Sequence, residues 1–254
     1  EVTAREWQRK KAAQLFALLL ANRHRWLLRE QICEHLWPEE SPSEAESHFK
    51  VTLNAVNVAL EPARPPRTPP FYIRRQGSAY RFIALDGVWL DVDEFESRIA
   101  NAKLQLAAGD DDAHLAAAQM TLSAAVDLYR GDYLSDWLYE EWAQNERERL
   151  ATVYLEALTT LAELLISRDQ PAEAIPWCEM ILMRDPCWEA AYVLLMQAYA
   201  RQGNRRQALA TYERCVRNLR AQMDIAPLPQ TTQVYEEVKS WSAPFPQAQA
   251  RRLG

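Results

Sequence analysis

Apolar side chains recur every three or four residues between Trp7 and Asn22, with Ala12, Leu15, Phe16, Leu19 and Leu20 on one face. This period predicts a first helix. Trp26-Leu27-Leu28 reads as a short extended piece, and Arg29 to Trp37 as a second helix with Ile32, Leu36 and Trp37 on one face, stopped by Pro38. Ser43-Glu44-Ala45-Glu46 has the form of a capping box, which predicts a third helix from there to about Glu61 with Ala45, Phe49, Leu53, Val56 and Leu60 inward. Five prolines in 62–70 force an extended loop. Phe71–Arg75 and Ala79–Ile83 then alternate as strands do, joined by Gln76-Gly77-Ser78, and predict a β-hairpin with basic residues near its tip.

Beyond Asp91 the helical period takes over. Helices are expected within 94–107, from Asp112 to Tyr129, from Tyr139 to Arg168 and from Thr231 to Trp241, with a break at Arg130-Gly131-Asp132-Tyr133. Between them one helical hairpin is written twice: Leu161-Ala162-Glu163-Leu164-Leu165 returns as Leu195-Met196-Gln197-Ala198-Tyr199. Asp169, Ala174, Ile175 and Leu182 return as Gly203, Ala208, Leu209 and Val216. Each pair is 34 residues apart, the tetratricopeptide period, so the second half is expected to be a scaffold that presents a groove. The fold class is mainly α: a winged helix-turn-helix with a β-hairpin wing, then an all-α tetratricopeptide-like repeat domain. The expected divisions are 1–90, 91–241 and a flexible tail over 242–254.

The formal charge of −6 conceals an asymmetry. Residues 1–82 hold 13 Lys/Arg and 9 Asp/Glu, a net +4, against a net −10 over 83–254. Different partners are expected for the two parts. Cys33, Cys178, Cys187 and Cys215 are scattered, without metal-ligand spacing, and suit a reducing cytoplasm. No apolar run reaches the ~18 residues a membrane span requires. With six glycines, no phosphate-cradling loop, no HExxH among His24, His35, His48 and His114, and no calcium-loop spacing in Asp110-Asp111-Asp112, the chain is expected to be no enzyme and to hold no cofactor or metal. Trp7, Trp26, Trp37, Trp137, Trp142, Trp177 and Trp188 fall beside apolar helical positions and are expected to anchor cores, whereas Trp89 and Trp241 are candidates for interfaces.

Three helices followed by a basic hairpin is the order of a winged helix, whose third helix enters the major groove while the wing lies along the backbone. Outward positions of the third helix are Ser47, Lys50, Val51, Asn54, Ala55, Asn57 and Val58. Lys50, Asn54 and Asn57 carry groups that read base edges. Arg74, Arg75 and Arg81 are expected on phosphates, with Arg5, Arg9, Lys10, Lys11, Arg25 and Arg29 as further cations. Val51, Ala55 and Val58 form a second apolar stripe, and Val51 and Val58 are candidate protein contacts.

The chain resembles the SARP-type bacterial transcriptional activators, which join an OmpR-like winged helix to a helical bacterial transcriptional activation domain. The resemblance rests on Lys11–Leu19, Arg29–Ile32 through Leu36–Glu39, Ala55–Glu61, the wing Gly77–Phe82 and the joint Leu90–Phe95. It continues through Leu128-Tyr129-Arg130-Gly131-Asp132-Tyr133-Leu134, Glu146–Leu150 and Arg184-Asp185-Pro186. It implies a cytoplasmic activator that binds double-stranded promoter DNA at repeats, associates as a dimer and recruits RNA polymerase. Two departures stand out: the family's third helix usually carries several arginines toward DNA, and the small sheet that family members place before the first helix is not in this sequence. The rival expectation is a protein-interaction module whose winged helix no longer reads DNA.

Overall fold

The computed structural model describes residues 10–84 and 88–240. Trp7, Arg5, Arg9, Trp241 and the expected tail lie outside the described residues. Two compact units separate, one formed by the chain up to Leu90 together with Gly131–Leu150, the other by Asp91–Arg130 with the chain from Ala151 onward.

In the first unit the order is α1 (Lys10–Ala21), β1 (Leu27–Leu28), α2 (Arg29–Leu36), α3 (Pro42–Leu60), β2 (Ile73–Gln76) and β3 (Ala79–Phe82). The hairpin gains a third strand: the sheet runs β1-β3-β2, antiparallel throughout, with Leu27 opposite Tyr80 and Arg74 opposite Arg81. Only Gly77 and Ser78 separate the paired ends Gln76 and Ala79, and Gly77 takes φ +60°, which suits a glycine at the first position of a two-residue hairpin turn. Strand alternation sends Leu27, Ile73, Tyr80 and Phe82 into the core. There Phe49 of α3 meets Tyr80 edge-on at 4.9 Å, and Phe16 of α1 meets Phe82 at 5.4 Å. Such aromatic pairs add about 0.5–1.5 kcal/mol each beyond the area they bury.

The third helix starts two residues earlier than the sequence suggests. Ser41, not Ser43, is its N-cap, and the Glu44 carboxylate accepts both the Ser41 N–H (3.2 Å) and the Ser41 O–H (2.5 Å). Pro42 explains the shift: it has no N–H to leave unpaired and its φ is preset for a first helical turn. Ala45, Phe49 and Val56 are buried as expected and Leu53 and Leu60 half-buried, but Thr52 and Asn57 are buried as well. At the helix end, the Glu61 carboxylate accepts the N–H groups of Phe71 (2.7 Å) and Tyr72 (3.2 Å), which closes the proline-rich loop back onto α3.

Gly131–Leu150 rejoins this unit through contacts no local pattern announces. The Gln14 amide donates to the Glu140 carboxylate (2.6 Å), and Trp142 packs on the core of the first unit. Arg147 donates to the carbonyls of Tyr133, Trp137 and Leu138 at 3.0–3.1 Å, holding the turn in which Leu134 adopts φ +52°. The tryptophan expectation is corrected in part. Trp37 is buried and Trp137, Trp142, Trp177 and Trp188 are half-buried, but Trp26 is 36% exposed.

The second unit comprises α4 (Asp91–Ala108), α5 (Asp112–Val126), the C-terminal part of α6 (Glu141–Ser167), α7 (Pro171–Arg184), α8 (Glu189–Arg201), α9 (Arg205–Met223) and α10 (Pro229–Lys239). Helix α6 has the length and composition to cross a membrane, yet Leu158, Leu161, Ala162 and Leu165 are buried inside the protein and Glu156 and Glu163 lie along its other side. That is the pattern of a core helix in a folded unit. The 34-residue repeat is reproduced bond by bond. The Gln170 N–H donates to the Leu165 carbonyl and the Asn204 N–H to the Tyr199 carbonyl, both at 2.8 Å, and the preceding residues Asp169 and Gly203 take φ +59° and +73°. Each is a helix end closed by a left-handed residue and a six-residue hydrogen bond. The equivalent residues Ala174 and Ala208 are fully buried in their hairpins.

The two turns differ in one respect: Asp169 bears a side chain where Gly203 has none. Asp169→Gly is expected to stabilise the second unit by about 0.5–1 kcal/mol, and Gly203→Ala to destabilise it by about 1 kcal/mol, since a Cβ at 203 meets nothing and only backbone strain is added. Denaturant midpoints of the two variants against the parent check the opposite signs.

Candidate nucleic-acid interface

Burial of Phe49 and Val56 determines which side of α3 meets solvent. Ser43, Ser47, Lys50, Val51, Asn54 and Val58 are exposed, a strip along one side of the helix. Asn54 stands near its middle with Val51 (53% exposed) and Val58 (54%) on either side. Lys50 sits over Glu46 at 2.9 Å, and the same carboxylate also holds Arg29 of α2 at 2.7 Å. The hydrogen bond from Lys50, reinforced by the charge of Arg29, keeps the Glu46 carboxyl below the usual carboxylate range. Arg29 is therefore occupied within the unit, whereas Lys50, in an exposed pair, gives up little by changing partner.

Asn57 is a correction. It is only 6% exposed, and its Oδ1 is buried with no hydrogen-bond partner among the described residues. Eight residues beyond Phe49 it lies about 80° round the helix, at the edge of the buried arc, and so does not meet solvent with Lys50 and Asn54. Ala55 likewise packs half-buried against the core rather than completing an outward stripe.

On the sheet the alternation that buries Tyr80 and Phe82 turns Arg81 to the opposite face, and the register sets Arg74 directly across from it. Like charges facing each other across a strand pair are destabilising, so this arrangement costs the fold stability. Aromatic rings offset part of that cost: Arg81 lies over Trp26 at 5.0 Å and Arg74 over Phe71 at 5.6 Å. Among the described residues neither guanidinium has a carboxylate partner, and the Arg81 Nε is buried without an acceptor. Arg75 is turned toward the hairpin tip, its Nε–H donating to the Gly77 carbonyl at 2.7 Å.

Other predicted cations are less available. Lys11 donates to the Leu36 carbonyl and lies over the Trp37 ring, joining α1 to the end of α2. Arg25 is exposed but donates to Asn22 at 2.7 Å, and Lys10 is exposed. The structure thus groups Lys50 with Asn54 on one helix face and Arg74 with Arg81 on one sheet face. The roles of Trp26 and Phe71 beneath those arginines were not legible, because stacking depends on cross-strand register rather than on sequence spacing.

Comparison with known proteins bears on what these faces serve. The family model of the bacterial transcriptional activator domain matches residues 90–239. The regulatory protein AfsR of Streptomyces coelicolor is 25% identical over 224 residues, 88% of this chain and 21% of its own length. AfsR of Streptomyces griseus is 24% identical over 225 residues, again 88% of this chain and 22% of its own. The chain therefore spans about a fifth of the length of the curated relatives it matches. Among solved structures, Mycobacterium tuberculosis EmbR in complex with low affinity phosphopeptide superimposes with a TM-score of 0.79 at 24% identity, covering 91% of this chain and 59% of that one, and so shares the fold. By the match across its helical half and by the ordered marks of its winged helix, the chain belongs to the bacterial transcriptional activator domain family, as its likeness to the SARP-type regulators implies.

Proposed function

We propose that the chain is the DNA-binding and activating part of a cytoplasmic transcriptional regulator, reading double-stranded promoter DNA with α3 and holding its backbone with the wing. The observation that carries this reading is the pair Arg74 and Arg81. Two guanidiniums with no carboxylate partner among the described residues are kept face to face on the exposed side of a short sheet, at a cost to stability. Phosphate groups would relieve that repulsion and supply acceptors. Arg75 adds a third cation at the wing tip. On α3, Asn54 supplies an amide suited to adenine and Lys50 a donor suited to guanine. The partition into a winged helix over 1–90 and an activation domain over 91–241, dimerisation on promoter repeats and contact with RNA polymerase belong to the same proposal.

A second reading is favoured by Val51 and Val58, two half-exposed valines on the same strip as Asn54. In it that face docks on another protein and the winged helix no longer discriminates sequence. Substituting both by Ser separates the two: a smaller oligomer with DNA affinity intact favours the docking face, and loss of sequence discrimination alone favours the reader.

Fluorescence anisotropy against promoter DNA from upstream of the chain's own operon, beside a shuffled duplex at two salt concentrations, tests the main proposal. Specific binding is expected to be about a thousandfold tighter than binding to shuffled DNA. Equal, weak and salt-sensitive binding to both would sink it. In the same assay the double variant Arg74→Ala, Arg75→Ala is expected to weaken binding to every sequence and to lower the salt slope by about two units. An unchanged slope removes the wing from the contact. Asn54→Ala is expected to relax discrimination at one base position, with a cost of about 1–3 kcal/mol on the preferred site, while Asn57→Ala leaves the preference as it was.

A further inference from the structure

A cleft of about 600 Å³ opens in the second unit, within the size range of small-molecule sites. Its floor is apolar and closed: Ala102 of α4, Leu122 of α5 and Ala157 of α6 are each at most 2% exposed yet line it. Trp188, at the start of α8, forms part of one wall and donates its indole N–H to Thr159 at 3.0 Å. Lys103 is the one cation among the lining residues, set against the carboxylates of Glu156, Glu163, Asp185 and Glu189.

The four carboxylates are not equivalent. Asp185 accepts the N–H of Cys187 at 2.8 Å, and Glu189 accepts the Leu228 N–H (2.9 Å) and the Thr231 hydroxyl (2.7 Å), so these two hold the unit's own backbone. Glu156 and Glu163 stand two turns apart on α6, and among the described residues neither has an ion pair or a side-chain hydrogen bond. Glu163 is reached by solvent, yet the packed walls around it withdraw enough water to push its carboxyl above the usual range. Among the described residues Glu163 forms no ion pair, with Lys103 or any other cation, and the apolar floor offers it no donor, so a cation entering the cleft would give it a partner.

We infer that this cleft binds a small organic cation, an amine carried on an apolar body, with the amine on Glu163 and the body on the floor formed by Ala102, Leu122 and Ala157. Neither the proposed DNA contacts nor the family match assigns a ligand here, and the inference stands apart from the DNA reading. An anionic ligand would meet a lining of net negative charge, and a purely apolar one would leave Glu163 uncompensated.

The test uses dansylcadaverine, a primary amine on an apolar fluorophore, titrated into the whole chain, with dansylamide as its uncharged counterpart. Saturable one-to-one binding of the amine is expected, at least tenfold tighter than the amide. E163Q should weaken the amine at least tenfold and leave the amide unchanged, which also shows that the cleft is still folded. W188F should remove the largest share of tryptophan-sensitised dansyl emission. Equal affinity for amine and amide, or an E163Q variant that binds the amine as the parent does, overturns the proposal. So does sensitised emission indifferent to W188F, which places the probe elsewhere. An amine affinity that falls as protein concentration rises would give the cleft to a second copy of the chain, and overturns it too.

Discussion

The contact between Phe49 and Tyr80 is the constraint on which the first unit turns. Phe49 is the most enclosed aromatic side chain of α3, and Tyr80 sits in the middle strand of a three-stranded sheet. With Phe49 inward, the 3.6-residue period leaves Lys50, Val51, Asn54 and Val58 outward and sets Asn57 just inside the edge of the buried arc. With Tyr80 inward, the two-residue period turns Arg81 outward and, through the register, Arg74 with it. One edge-on ring pair at 4.9 Å thus selects both polar surfaces. A slip of one residue in the β2–β3 pairing would bury a guanidinium and expose Ile73 or Phe82, which makes the register strongly specified.

That register retains an unfavourable feature. Arg74 and Arg81 face each other when either position could hold a threonine or a glutamate at a gain in sheet stability. The rings of Phe71 and Trp26 beneath them lessen the repulsion and hold each guanidinium in place, so less ordering is left to be done on binding. Trp26 is exposed for the same reason: a tryptophan under an arginine at a sheet edge covers its charged neighbour rather than filling a core. Local stability and surface chemistry pull in opposite directions at this sheet, and such conflicts tend to mark places where a protein meets a partner.

Much of the fold was legible because it is periodic. The repeat of 34 residues was visible in Leu161 and Leu195 and in Ala174 and Ala208, and the structure returns it as equivalent left-handed turns at Asp169 and Gly203. The winged helix was legible from the order of three amphipathic stretches and a basic hairpin. The cap of α3 is ambiguous in sequence because two serines, each three residues ahead of a glutamate, suit the same role, and the proline between them decides it. Asn57 departs from the sequence expectation because α3 buries a wider arc than the line through Ala45, Phe49, Leu53, Val56 and Leu60, one that takes in Thr52 and Asn57. The return of Gly131–Leu150 to the first unit rests on a bond between Gln14 and Glu140, 126 residues apart, and on Trp142. No local period encodes a partner at that distance.

The paired stretches Arg130-Gly131-Asp132-Tyr133 and Glu146-Arg147-Glu148-Arg149 illustrate how a sequence mark acquires a physical reason. Tyr133 and Leu138 lie in turns on either side of the single 3-10 turn Ser135–Trp137, where the Trp137 carbonyl accepts the Glu140 N–H (3.1 Å), and Leu134 is held in a left-handed conformation costly for a branched side chain. The planar guanidinium of Arg147 donates to the carbonyls of Tyr133, Trp137 and Leu138 from the first turns of α6. A lysine there could not present a rigid fork to three acceptors spread over six residues. The two marks are therefore one structural unit, an irregular turn and the arginine that makes it tolerable. Their order along the chain follows from the turn having to precede the helix that carries its clamp.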